Sequence, residues 1–250
     1  VSPIRIGRIG IAVSVLLLLI LVINAPARLI GYFVASDVLV IQGFSGTLWR
    51  GRAARSAVAV GHGYLHLGAV RWKLSAVSLL GLSPKVSLSS RWGAQTVSGQ
   101  VIYRNEQSFD LADIEARLSA NLLGQISPLA VKGDFLIQIT ALKVREGLPV
   151  SGRGRVVWEN ATWTSSQGPV PLGSYAVDFA QSQDQALVGE VVTIAGPVDA
   201  SGQFELLGRS YSLGVLVTSE TGLDAQLQES LSLLAQPLED GYRIQLKSEF

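Results

Sequence analysis

The sequence predicts a mainly β protein: an N-terminal transmembrane helix, then a curved, largely antiparallel sheet of half-pipe shape, made of two related repeats with one or two short helices. Three observations lead there. One long apolar stretch opens the chain. Short alternating segments follow at spacings near ten residues. A set of landmarks then recurs in one order at offsets of 103 to 109 residues, as a doubled unit would produce.

The first element is the apolar stretch. Nineteen uncharged residues separate Arg8 from Arg28, enough for a helix across a hydrocarbon core of about 30 Å. Arg5 and Arg8 precede it, so the positive-inside tendency places residues 1–8 in the cytoplasm and the rest outside. The expected layout is an anchor over 9–27, a juxtamembrane segment over 28–36, and two exported repeats over 37–147 and 148–250. A cleaved signal peptide is the rival reading, because Ala25-Pro26-Ala27 imitates a small-residue cleavage site.

Composition sets the class of the exported part. Of 250 residues, 48% are hydrophobic and 16% charged, too apolar for a disordered chain. The net charge of +1 offers no basic footprint for nucleic acid. There is no cysteine, so burial and hydrogen bonding alone must hold the fold. This suits a periplasmic domain of Gram-negative type, tethered to an inner membrane.

Strands are expected at Val38–Gln42, Ala53–Val60, Val86–Trp92, Thr96–Tyr103, Gly133–Lys143, Arg155–Thr164, Val188–Ile194, Ser201–Leu207 and Ser212–Ser219. The clearest is the last in the chain, where Tyr242, Ile244 and Leu246 alternate with Arg243, Gln245 and Lys247. Tyr175, Val177 and Phe179 alternate with Ser174, Ala176 and Asp178 in the same way. The recurring landmarks are Gly46 to Trp49 with Gly154 to Trp158, Leu67-Gly68 with Leu172-Gly173, and Ser98-Gly99-Gln100 with Ser201-Gly202-Gln203. Pro128-Leu129 and Pro237-Leu238 continue the series.

One helix per repeat is expected. Leu111, Ile114, Leu118 and Leu122 make one stripe at helical spacing; Leu223, Leu227, Leu231 and Leu234 make the other. Each would cap an open end of the sheet. Two short helices cannot cover a long one-sided sheet, so the sheet is expected to curl, helped by glycine within its strands.

Chemistry is sparse. His62 and His66 are the only histidines, and on a strand they stand about 13 Å apart, too far to share a metal. Gly43-Phe44-Ser45-Gly46 fails as a nucleophile elbow, and no glycine cluster is followed by a phosphate-binding lysine. Asp110, Asp113 and Glu115 look like the solvated first turn of the helix expected there. No catalytic residue, cofactor or metal is expected. The candidate interaction or groove residues are Trp49, Phe135, Trp158, Tyr175 and Tyr242. Phe135 and Tyr175 are expected to face the groove and Arg243 to face outward. The Trp49 and Tyr242 strands are expected near the two edges.

Gly46-Thr47-Leu48-Trp49-Arg50-Gly51 leading to Ala53, Val70-x-Trp72, Leu79-Leu80-Gly81, Gly152-Arg153-Gly154-x-Val156-x-Trp158-x-x-Ala161 and Leu172-Gly173-x-Tyr175 resemble the type II secretion system protein N family. The resemblance covers nearly the whole chain and rests on glycine, tryptophan and leucine rather than on a catalytic signature. It implies a non-enzymatic, single-pass inner-membrane component of the machinery that moves folded periplasmic proteins across the outer membrane. The partners implied are the platform proteins C, L, M and F and the secretin D. A second reading comes from shape alone: a curled sheet with an apolar concave face is expected of AsmA-like proteins and bridge-type lipid carriers, with inner-membrane lipid as ligand.

Overall fold

Period-two alternation leaves every strand with one apolar side, and the computed structural model joins these sides into a single surface. It describes residues 3–34, 39–60, 63–105, 107–125, 131–165, 167–233 and 235–249. Helix α1 covers Pro3–Ile23 and α2 covers Leu29–Val34. The strands are β1 (Leu39–Gly46), β2 (Arg50–Val60), β3 (Gly63–Leu74), β4 (Lys85–Trp92), β5 (Gln95–Asn105), β6 (Ser108–Ser119) and β7 (Val131–Arg145). After them come β8 (Leu148–Ser165), β9 (Gly168–Gln181), β10 (Leu187–Ala195), β11 (Asp199–Leu207), β12 (Ser210–Thr218), β13 (Gln236–Leu238) and β14 (Gly241–Glu249). Short helices α3 (Ala76–Leu80) and α4 (Ala225–Ser232) interrupt them.

All fourteen strands belong to one antiparallel sheet in chain order, except that β13 folds back outside β14. The edges β1 and β13 do not meet, so the sheet is open. The boundary expected at 147/148 falls on the Glu146-Gly147 turn between β7 and β8. Both turn residues have positive φ, 52° and 80°, as a two-residue hairpin of matching twist requires.

The register makes the two faces chemically distinct. One row of cross-strand partners runs Phe44, Ala53, Val70, Ser90, Val97 and Ala116 over β1 to β6. It continues through Ile137, Val156, Val177, Val191, Gly202 and Val215 to Ile244 on β14. At a strand spacing of about 4.8 Å this apolar strip extends about 60 Å. The adjacent row points to the other face and is polar, with Arg52, Arg71, Ser89 and Ser98 followed by Glu115, Gln138, Arg155 and Asp178.

Two buried clusters cover only the ends of the strip. At one end Ala27, Ala53 and Trp72 pack with Phe44 and Ile41. At the other, Leu227 of α4 sits on Val198 and Val217, with Leu223 and Leu231 beside it. Asp224 caps α4 by accepting from the Gln226 and Leu227 amides. Leu234, the last residue of the expected stripe, lies outside the described residues, as do Val38, His62 and Pro128-Leu129. No large side chain is fully buried among the described residues; between the two clusters, the segment over 120–125 lies against β7 and β3.

The helix expected over 111–122 is absent; most of that segment is strand β6, followed by a 3-10 turn over Ala120–Gln125. A bulge explains the difference. Asp113 has φ 51°, and the β5–β6 register slips between Ser98 and Gln100. The inserted residue puts Leu111, Ile114 and Leu118 on one face at spacings of three and four, which imitates a helix. Gly99 accommodates the bulge, because a Cβ there would collide with Ile114.

Counting described side chains, no helix is long and apolar enough to cross a membrane. The α1 backbone is 21 residues long, about 31 Å at the helical rise, and its side chains from Val13 to Ile23 are exposed. It ends before Asn24, short of the expected 9–27 span. Residues 25–27 run instead as a strap against the β1–β2 turn: the Ala27 amide donates to the Gly46 carbonyl and the Leu48 amide to the Ala25 carbonyl, at 3.1 and 2.7 Å.

Candidate functional site on the apolar face

Three of the five candidate residues are brought together by register. Phe135 on β7, Trp158 on β8 and Tyr175 on β9 are direct cross-strand partners on the apolar face. The Phe135 and Trp158 rings stack at 5.6 Å with 25° between planes, and Trp158 meets Tyr175 at 6.0 Å and 46°. Such aromatic pairs add to area burial. The Trp158 indole donates to the Lys132 carbonyl at 3.1 Å.

Tyr175 is the best buried member of the ladder, at 9% exposure. Its hydroxyl lies 2.9 Å from both the Leu172 and Val198 carbonyls. Burial, and secondarily the nearby Asp199 charge, push its pKa up to about 12. The phenol is therefore a neutral donor holding the β9 entry against the loop before β11, not a proton-transfer group at ordinary pH.

The other two candidates lie elsewhere. Trp49 sits in the β1–β2 turn, and its indole donates to the Val22 carbonyl at the end of α1, 2.8 Å away. It joins helix to sheet. Tyr242 is on β14 between Val217 and Pro237. There the three-residue β13 shields the edge, whereas among the described residues Ile244 to Glu249 have no strand partner on their outer side. At the opposite edge the 25–27 strap covers only the Gly46 end of β1.

One network was not legible in the sequence. Asp110, expected on a solvated helical turn, is on a strand and pairs with Arg145 at 2.6 Å and Arg104 at 3.0 Å. Burial raises its pKa, but hydrogen bonds and charge from Arg145 and Arg104 outweigh that and hold the carboxyl below its ordinary range. Arg145 also donates to the Phe109 and Val144 carbonyls, and Arg104 to Ser83 Oγ. These contacts brace β5, β6 and β7 on the polar face. The signal available was the turn between Asn105 and Ser108, which places residues 104 and 110 near each other once β6 is read as a strand.

His66 lies on β3 opposite Ala57, exposed. Among the described residues no three His, Cys, Asp or Glu side chains group as metal ligands would. What the site offers is contact: a long apolar strip with an aromatic ladder, and open backbone at both edges.

No solved structure matches the chain. A family model described as type II secretion system (T2SS), protein N, matches residues 38–245, essentially the whole sheet. Type II secretion system protein N of Aeromonas hydrophila is 29% identical over 230 residues, covering 87% of each chain. The protein of that name from Vibrio cholerae serotype O1 is 24% identical over 241 residues, covering 91% of this chain and 92% of its own. With the match running from the first strand nearly to the end of the last, the chain belongs to the type II secretion system protein N family.

Proposed function

We propose that this component of type II secretion is a non-enzymatic accessory protein of the inner membrane. In this reading α1 crosses the bilayer with the N-terminus in the cytoplasm, and the sheet stands in the periplasm as two related halves, 37–147 and 148–250. The family match across the sheet carries the reading; the exposed apolar side chains of α1 from Val13 to Ile23 support the anchor. Platform proteins C, L, M and F and the secretin D are the partners to look for. The open edges at β1 and β14 are the surfaces we assign to them, since unpaired strand backbone accepts an added strand.

The test is photocrosslinking of the full-length protein in its own membrane, with probes at Val40 on β1 and Arg243 on β14. Crosslinks to secretion subunits from either edge are expected. Silent edges, together with normal cargo release after deletion of the chain, would remove the accessory role.

One observation favours a second reading, an AsmA-like lipid-binding protein: along the apolar strip of about 60 Å, the buried clusters among the described residues sit at the two ends. Probes at Phe135 and Tyr175 separate the two readings. Phospholipid adducts there, with no protein crosslink from the edges, favour lipid handling.

A further inference from the structure

The net charge of +1 hides a segregation along the sheet. Between Asp37 and Glu106 there are eight Lys or Arg residues and no Asp or Glu; from Glu106 onward there are eighteen acidic residues and nine basic ones. The register then gathers the early cations. Arg50 lies directly opposite Lys73, and Arg52 directly opposite Arg71, across β2 and β3. All four side chains are exposed. Like charges directly opposite one another destabilise a strand pair. No ion pair among the described residues relieves these four, since those formed involve Arg104, Arg117, Arg145 and Arg155.

The four cations and Ser45 line a depression of about 460 Å³. Its position is tied to α1. Trp49, the residue before Arg50, donates to the Val22 carbonyl, and Leu48 is bonded to Ala25 of the strap. A costly block of positive charge therefore stands where the apolar helix ends.

We infer that this block is a binding site for the phosphodiester headgroup of an anionic phospholipid at the bilayer surface. The inference rests on α1 being the membrane anchor. Guanidinium forks match phosphate oxygens in pairs, and anionic headgroups attract basic residues held beside a membrane. Binding would offset the cross-strand repulsion and fix the sheet's orientation over the lipid. The polar face also holds an acidic depression of about 630 Å³, lined by Asp178, Glu190 and Glu205 with Arg153. A second copy could seat its cations there, and the test separates that case.

Full-length protein in zwitterionic detergent is titrated with phosphatidylglycerol and, separately, phosphatidylcholine, and adducts are counted by native mass spectrometry. The wild type is expected to retain phosphatidylglycerol selectively. The Arg52→Gln/Arg71→Gln pair is expected to weaken that binding about tenfold. Its thermal midpoint should hold or rise, because repulsion has been removed. Arg243→Gln/Lys247→Gln, which removes as much charge from the far end, should leave binding unchanged. Equal retention of the two lipids, or unchanged binding in the Arg52/Arg71 variant, overturns the inference. So does inorganic phosphate that competes as well as the lipid, which would mark a free-anion site, or a wild-type dimer that the variant loses. Alkaline carbonate extraction of the full chain from its host membrane tests the anchor on its own: release there refutes the anchor without altering the micelle result.

Discussion

The Trp49 indole and the Ala25 amide donate to one oxygen, the Val22 carbonyl, at 2.8 and 3.2 Å. That carbonyl is among the last of α1, where no further helical amide is available. Through a turn residue, the indole next to the sheet adds a second donor to that of Ala25. Trp49→Phe keeps the ring and removes the donor. We expect the joint to weaken by about 1 kcal/mol. Amide exchange should accelerate at Ala27, whose N–H bonds to Gly46, while the strands beyond β3 are unchanged.

Tyr175→Phe leaves two inward carbonyls without a shared donor and is expected to cost about 1–2 kcal/mol, read from chemical denaturation. The pH dependence has a definite sign. The folded pKa of about 12 exceeds the unfolded value near 10. The stabilisation is therefore complete below about pH 10 and is lost as pH rises toward 12. Phenolate absorbance should show one tyrosine titrating late, and Tyr175→Phe should remove that component.

Asp110 has the opposite sign. Its folded pKa is depressed by Arg145 and Arg104 against the effect of burial. Its contribution is present above the unfolded value near 3.9 and disappears as pH falls through the lower folded value. Asp110→Asn should cost about 1 kcal/mol at neutral pH. Denaturation midpoints of wild type and variant should converge below about pH 4. Parallel curves through that range would contradict the assignment.

Gly99→Ala tests the bulge. The added methyl meets Ile114, and overpacking of this kind costs about 1–3 kcal/mol. Gly99→Ala combined with Ile114→Ala should recover part of the loss, because the clash partner is gone. Equal losses in the single and double variants would place the strain elsewhere.

What the residues alone disclosed depended on whether the period stayed intact. In β14 nothing interrupts the alternation of Tyr242, Ile244 and Leu246, and strand and facing were both legible. In β6 the residue inserted at Asp113 shifted the phase, and Leu111, Ile114 and Leu118 looked helical. The 223–234 stripe has no such insertion and does fold as α4 over Ala225–Ser232. The matched landmarks around Trp49 and Trp158 suggest a strand at both, but Trp49 lies in a turn and Trp158 within a strand. Proximity among Phe135, Trp158 and Tyr175 comes from register across two hairpins, which composition does not encode. The Asp110 network stayed hidden for the same reason, since pairing 104 with 110 requires β6 to be extended.

The meander order has a consequence for how the molecule is made. Each strand through β11 hydrogen-bonds only to strands adjacent in sequence, so loop closure is short at each of those steps. Partner strands meet in the order the ribosome produces them, and no early strand waits for a distant one to slot in beside it. The sheet can lengthen hairpin by hairpin as the chain emerges, with β14 and β13 laid down last as its terminal cap.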